Sequence, residues 1–305
     1  MAGLVVLEKM VMLVLLMLVG FLAAKGKWVD ESFGQKASFL VANVFIVATI
    51  LASVVGMEPL FSGRELVVAV VAVFILFAIG GGLGWICAKL LPLSPGDRTA
   101  AWLSVFFMNN VFIGFPVVEA LFGQNAVFCA ALTGLPFNLL LFSMGVSRLR
   151  AGQGRGRVRL REVFSPALIA TLVSIVFFLG QIPFPQLVAD TVQTLGGATV
   201  PLSMLIIGIS LSRVPVKEAI TDWRAYVVSL VRLILCPLVV WGVLRLFVSG
   251  TVLGVLTVIA ACPSGAMITI LSLRYGVDET FATRVNFVST VLCAGTLPLM
   301  THILL

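Results

Sequence analysis

Charge is scarce in this chain. Only 11% of its 305 residues are Asp, Glu, Lys or Arg, against about 25% in soluble globular proteins. No stretch has the composition of a soluble domain. The five cysteines (Cys87, Cys129, Cys236, Cys262, Cys293) all sit in apolar runs without CxxC spacing, so they read as small buried hydrophobes rather than disulfides or metal ligands. None of the 13 acidic residues falls squarely at mid-membrane depth, Glu119 coming closest. That argues against a carboxylate proton relay and against an acidic sodium cage. The single histidine, His302, lies three residues from the C-terminus. A hydrolase built on Ser264 and His302 fails because a nucleophilic serine needs its base within hydrogen-bond reach, and these two belong to different depths. GxSG and paired intramembrane aspartates are also missing.

What the chain has is long apolar runs, about ten of them. They are Leu4–Ala24, Ala37–Met57, Leu66–Ala88, Thr99–Val118, Ala120–Ser147, Val163–Ala189, Thr191–Ser212, Ala225–Leu244, Leu246–Leu273 and Val285–Leu305. A bilayer core about 30 Å thick needs roughly 20 helical residues to cross. The chain is therefore expected to be an all-α polytopic membrane protein. Its first run is too long for a signal-peptide core and has no small-residue cleavage site, so it reads as a retained helix. Glu8 and Lys9 sit near one end of that run, within reach of headgroups.

The net charge of +7 would suit a nucleic-acid partner, but the placement of the charge points elsewhere. Of the 20 Lys and Arg residues, sixteen fall in loops that follow odd-numbered runs and two (Arg64, Arg245) in loops on the other side. Basic loops stay cytoplasmic. This places the protein in the cell inner (plasma) membrane with both termini outside, bound to lipid and not to nucleic acid. The Arg-rich stretch 148–162 reads as a cytoplasmic linker between a first five-helix repeat (1–147) and a second (163–305). Five helices per half force the halves into opposite orientations, related by an axis in the membrane plane. A faint internal echo, Gly123 with Asn125 and Gly276 with Asp278, supports the repeat weakly.

The fourth and ninth runs are interrupted. The fourth carries Asn109, Asn110, Gly114 and Pro116; the ninth carries Cys262, Pro263, Ser264 and Gly265. Proline removes a backbone donor, and a helix broken at membrane depth must line a cavity or be buried in protein. Breaks at matching places in two halves are the best sequence pointer to a transporter's substrate site. Helical restarts just after Pro116 and Pro263 would offer free N–H groups and dipole ends to an anion.

Other polar residues sit within the runs. Asn43, Asn138 and Asn286 suit interhelical hydrogen bonds, and Asn138, after Pro136, could also face the crossing. Thr199, Pro201 and Ser203 suit packing. Arg232 lies roughly 12 Å from the cytoplasmic end at 1.5 Å per residue; it either draws an anion inward or snorkels. Asn43, Arg232 and Asn286 are kept as accessory candidates.

The motifs NNVFIGFP with LFG (Asn109–Gly123), TVPLSMLIIGISL (Thr199–Leu211), VRLILCP (Val231–Pro237), ACPSGAMITILSLRYGVDET (Ala261–Thr280) and STVLCAGTLP (Ser289–Pro298) resemble the auxin efflux carrier family. That group contains bacterial organic-acid permeases and plant PIN-type exporters. The resemblance implies ten transmembrane helices in two inverted repeats, helices four and nine crossing at prolines, and an elevator-like cycle. Carried over to this chain, Asn110, Pro116, Pro263 and Ser264 belong to the crossing. Two departures stand out: Val47, Ala48 and Thr49 occupy a place where many members have a proline, and the central loop is short. A bacterial member moving a small mono- or dicarboxylate is the expectation, rather than an indole-acetate exporter. A sodium-coupled symporter like the bile-acid carriers is the alternative, with a channel and a hydrolase more remote. No cofactor is expected; sodium and proton both stay open as the coupling ion, as does a homodimer.

Overall fold

The structure is a computed structural model that describes residues 2–56, 63–149, 164–212, 220–274 and 279–305. Among these residues the secondary structure is helical, with no strand. Six helices are long and apolar enough to cross a membrane: α2 (Ser32–Ala52), α3 (Arg64–Leu90), α6 (Ala126–Leu149), α8 (Gln186–Leu211), α9 (Trp223–Leu244) and α12 (Thr280–Leu304). Shorter apolar stretches are Val11–Lys25, within α1 (Ala2–Lys25), α5 (Asn110–Phe122), α7 (Pro166–Gly180) and α10 (Gly250–Ala260). Two further helices complete the set, α4 (Pro95–Phe106) and α11 (Met267–Arg274).

Local chemistry starts and stops these elements. The Ser94 and Ser165 hydroxyls accept from the Asp97 and Leu168 N–H groups at the starts of α4 and α7, each with proline as the first helical residue. A serine cap followed by proline satisfies one orphan donor and removes another. The sixth apolar run does not continue to Ala189 as its hydropathy suggests. Gln181 turns left-handed (φ 48°) and closes α7 at Gly180, and the backbone restarts at Gln186 beyond Pro183 and Pro185.

Packing separates two sets of helices. One is α1 against α8, α2 against α7, and α2 against α8. At the first of these interfaces Gly20 faces the Leu205 carbonyl and Gly208 the Met17 carbonyl, so closely that a Cβ on either would collide with backbone. Such close approach is how membrane helices associate when lipid is as apolar as leucine. Thr49 of α2 and Thr199 of α8 share a buried hydroxyl–hydroxyl bond of 2.7 Å, and the Thr49 hydroxyl also lies 3.3 Å from the Gly196 carbonyl. The Ser174 hydroxyl of α7 donates to the Ile50 carbonyl. The packing reading of Thr199 fits this arrangement.

The other set packs α3 on α4, α9 on α10, α6 on α10 and α12 on α4. At one end of it, the Asp222 carboxylate accepts two hydrogen bonds from Arg224 (2.8 and 2.7 Å) and lies 3.6 Å from Arg284 of α12. Arg224 also donates to the Pro92 carbonyl. These residues line a polar surface cavity of about 430 Å³. The Arg224 hydrogen bonds hold the Asp222 carboxyl below its ordinary range.

Of the expected basic linker, 148–162, all but Arg148 and Leu149 lies outside the described residues, as do Gly276 and Asp278.

Candidate functional site

Both interrupted spans are broken in the structure, and the breaks touch. After α4 the chain runs extended at Phe107 (φ −109°, ψ 111°) and restarts at Asn110. After α10 it is irregular until Met267. Met108 and Ser264 pair there as an antiparallel bridge. The Asn109 N–H donates to the Pro263 carbonyl (2.8 Å) and the Gly265 N–H to the Phe107 carbonyl (2.9 Å). Two short non-helical segments thus satisfy one another where helical bonds are lost, as apolar surroundings require.

The site candidates of the fourth span divide around this bridge. Asn109 caps the restart, its side-chain oxygen accepting from Phe112 N–H, the role in which Asn is favoured. Asn110 is 2% exposed and donates to the Thr133 hydroxyl of α6 (2.9 Å), which donates on to the Ala130 carbonyl. Residues Asn110–Gly114 form a wider π turn, a feature frequent at functional sites. Gly114 lies against the ninth span: a Cβ there would be 2.6 Å from Ile259 Cδ1 and 3.5 Å from Cys262 Sγ.

Pro116 corrects the sequence expectation. The restart lies at Asn110, ahead of Pro116, which sits at the opening of the α-helical part of α5 (Phe115–Phe122). The π turn accommodates the missing donor, so the proline does not mark the break.

In the ninth span, Pro263 lies in the irregular segment as expected. Cys262 is fully buried and its carbonyl accepts from Arg232 (2.9 Å). The Ser264 N–H donates to the Ser289 hydroxyl of α12, while its own buried hydroxyl has no protein partner. Gly265 packs on the Met108 carbonyl, 3.2 Å from where a Cβ would stand.

Arg232 belongs to this centre in a way neither sequence reading describes. It is 1% exposed. Its guanidinium donates to Cys262 (2.9 Å), Val105 (3.1 Å) and Ile259 (3.3 Å) carbonyls. Val105 lies in the last turn of α4 and Ile259 in the last turn of α10. The side chain neither snorkels nor opens to a vestibule; it caps both helices where they break. Another π turn, Val231–Leu235, carries it.

The remaining candidates stay apart. The Asn138 amide turns back onto the Gly134 carbonyl of its own helix, and the Asn43 amide onto Phe39. Asn286 reaches the centre through its backbone, its carbonyl accepting from the Ser289 hydroxyl. His302 is exposed on α12. Thr133, Ile259 and Ser289 are participants that sequence reasoning missed. Each is an ordinary residue of an apolar run; Thr133 and Ser289 carry a polar signal no stronger than that of many other hydroxyls there, and Ile259 carries none.

The family model described as a membrane transport protein matches residues 5–149 and 155–301. The chain belongs to this membrane transport family, the auxin efflux carriers. It is a transporter and not an enzyme. It is 27% identical over 301 residues to a protein named uncharacterized transporter in Methanothermobacter thermautotrophicus, covering 97% of this chain and 98% of that one. A protein of the same description from Methanocaldococcus jannaschii is 25% identical over 309 residues, covering 98% and 99%. A member of this family works in a membrane, and the apolar helices supply the spans.

Proposed function

We propose that this auxin efflux carrier family member moves a small organic anion, a mono- or dicarboxylate, which binds beside the bridge between Met108 and Ser264. The observation that carries the reading is the polarity of that crossing. On one side, the carbonyl ends of α4 and α10 are sealed and capped by Arg232. On the other, α5 and α11 begin, with Asn109, Val111 and Phe112 half-buried and Ala266 and Met267 exposed. Helix starts carry a partial positive charge and unpaired N–H groups. Carboxylate oxygens are the natural complement, with Asn109, Asn110, Gly114, Cys262, Pro263, Ser264 and Gly265 around them; Pro116 and Asn138 stand farther along their helices.

Ten spans in two inverted halves are the architecture that best accounts for the packing. Let α4 with α5 and α10 with α11 each count as one span. Exchanging the first five spans with the last five then carries the α1–α8 contact onto α7–α2, the α6–α10 contact onto α12–α4, and α3–α4 onto α9–α10; all of these occur. The gap in the family match at 150–154 falls within the expected linker, 148–162. An elevator-like motion of the crossing-bearing set against the α1, α2, α7 and α8 set follows from this division. The sixteen-to-two bias of basic residues orients both termini outward.

Uptake or efflux of labelled mono- and dicarboxylates by proteoliposomes tests the function. If none of them moves or binds, the anion assignment is wrong. Asn110→Ala and Pro263→Ala are expected to impair transport while leaving folded protein in the membrane. Wild-type rates in both would remove the crossing from the mechanism.

A further inference from the structure

We infer that Arg232 is the built-in cation of the crossing: a positioning residue that fills, by covalent attachment, the place a bound metal cation takes at broken-helix ends. Its functional meaning rests on the anion reading above. In membrane carriers, unwound carbonyls and half-helix C-terminal ends are the groups that hold a coupling cation. Here three such carbonyls, from Val105, Ile259 and Cys262, converge within 3.3 Å of one guanidinium. Among the described residues, no acidic side chain hydrogen-bonds or ion-pairs with Arg232.

The charges balance. Each helix C-terminus carries about −0.5 of an elementary charge, so the ends of α4 and α10 together offset one guanidinium. A buried cation without a carboxylate is otherwise very unfavourable, and its planar fork of donors suits several fixed acceptors better than an ammonium would. Each carbonyl oxygen that would ligate sodium already accepts from the guanidinium, and a metal ion placed among them would meet a fixed positive charge at hydrogen-bond distance. The residues at this end of the crossing do not fit a sodium site. By tying Val105 of the fourth span to Ile259 and Cys262 of the ninth, Arg232 also holds the two breaks in register, which keeps both helix starts beside the same solute.

The experiment reads thermal stability of the purified full chain in detergent, so its result is independent of whether any carboxylate is transported. Wild-type protein is expected to melt at the same temperature in sodium chloride and choline chloride. Arg232→Gly is expected to melt at least several degrees lower and to be raised toward wild type by millimolar methylguanidinium, with Arg232→Lys intermediate. If Arg232→Gly fails to fold, Arg232→Lys against Arg232→Gln decides: lysine is expected to be the more stable. A saturable, sodium-specific stabilisation of the wild type would overturn the inference. So would an Arg232→Gly protein indifferent to methylguanidinium, or glutamine equal to lysine.

Discussion

Moving one methyl group across the crossing tests whether the two interrupted spans pack as described. Gly114 has no side chain, and a Cβ there would stand 2.6 Å from Ile259 Cδ1, well inside van der Waals contact. Gly114→Ala alone forces the isoleucine to rotate or the spans to part, a cost of about 1–3 kcal/mol for overpacking. Alanine recovers up to about 1 kcal/mol as a better helix former than glycine, so the net loss lies between about 0 and 3 kcal/mol, centred near 1–2 kcal/mol. Ile259→Val alone deletes the clashing Cδ1 and leaves a small void, costing about 0.5–1.5 kcal/mol. Together the new Cβ occupies the space that Cδ1 vacates, so the double variant is expected within about 0.5 kcal/mol of wild type. The coupling energy is then about 1–3 kcal/mol, within the range measured for side chains in contact. Reversible unfolding of the four proteins in mixed micelles measures the cycle. If the double variant falls within about 0.5 kcal/mol of the sum of the singles, as for independent sites, Gly114 and Ile259 are not in contact and the crossing is misplaced.

Three further outcomes are expected. Thr49→Val and Thr199→Val are each expected to cost about 0.6 kcal/mol, at most about 1.7, and the double about as much as Thr49→Val alone, because Thr199→Val removes only the bond the two hydroxyls share while Thr49→Val removes that bond and the Thr49 bonds to carbonyls; additive losses would mean the hydroxyls do not pair. Asp222 titrates below its ordinary range because Arg224 hydrogen-bonds its carboxylate. Its stabilisation is therefore full above the unfolded value of about 3.9 and fades as pH falls below it toward the lower folded value. Asp222→Asn is expected to flatten the melting temperature of the chain over that acid window and to lower it at pH 7, and an unchanged profile would refute the ion pair. Finally, a cysteine placed at Arg98 should react with an impermeant maleimide only from the cytoplasmic side, and one placed at Arg245 only from outside; the reverse pattern would invert the topology.

The breaks were legible because they depend on local chemistry. Pro263 with Gly265, and Asn109 with Gly114, are residues that a straight apolar helix does not favour, and each interruption is visible without knowing its partner. The exact restart of the fourth span was less so. Proline is the loudest signal in NNVFIGFP, yet Pro116 is absorbed by the preceding π turn and the quieter asparagine does the capping. The end of α7 at Gly180 was obscured by unbroken hydropathy through Val163–Ala189, since Gln181 closes the helix by backbone conformation rather than by charge. Arg232 was visible as an intramembrane charge, but its partners lie 127, 30 and 27 residues away. No local pattern relates such positions. The same holds for Gly20 and Gly208, single glycines whose meaning appears only when α1 and α8 are brought together.

A helix broken at membrane depth creates two problems of opposite sign: carbonyls without donors at one end and N–H groups without acceptors at the other. Breaking two helices at one place doubles both. The bridge between Met108 and Ser264 resolves part of the backbone deficit by mutual pairing, and Arg232 resolves the carbonyl side permanently. Partial solutions also exist on the amide side, where Asn109 accepts from Phe112 and Ser289 from Ser264. Those acceptors are small neutral side chains, weaker than the guanidinium opposite them, since charge-assisted hydrogen bonds are about twice as strong as neutral ones. The asymmetry has a consequence for function. The cationic end of the crossing is closed by a residue that cannot leave, whereas the amide end is satisfied only by neutral groups. On the anion reading proposed above, a carboxylate arriving there would gain more than a cation anywhere in the same centre, and the amide end is where a solute would be held and released.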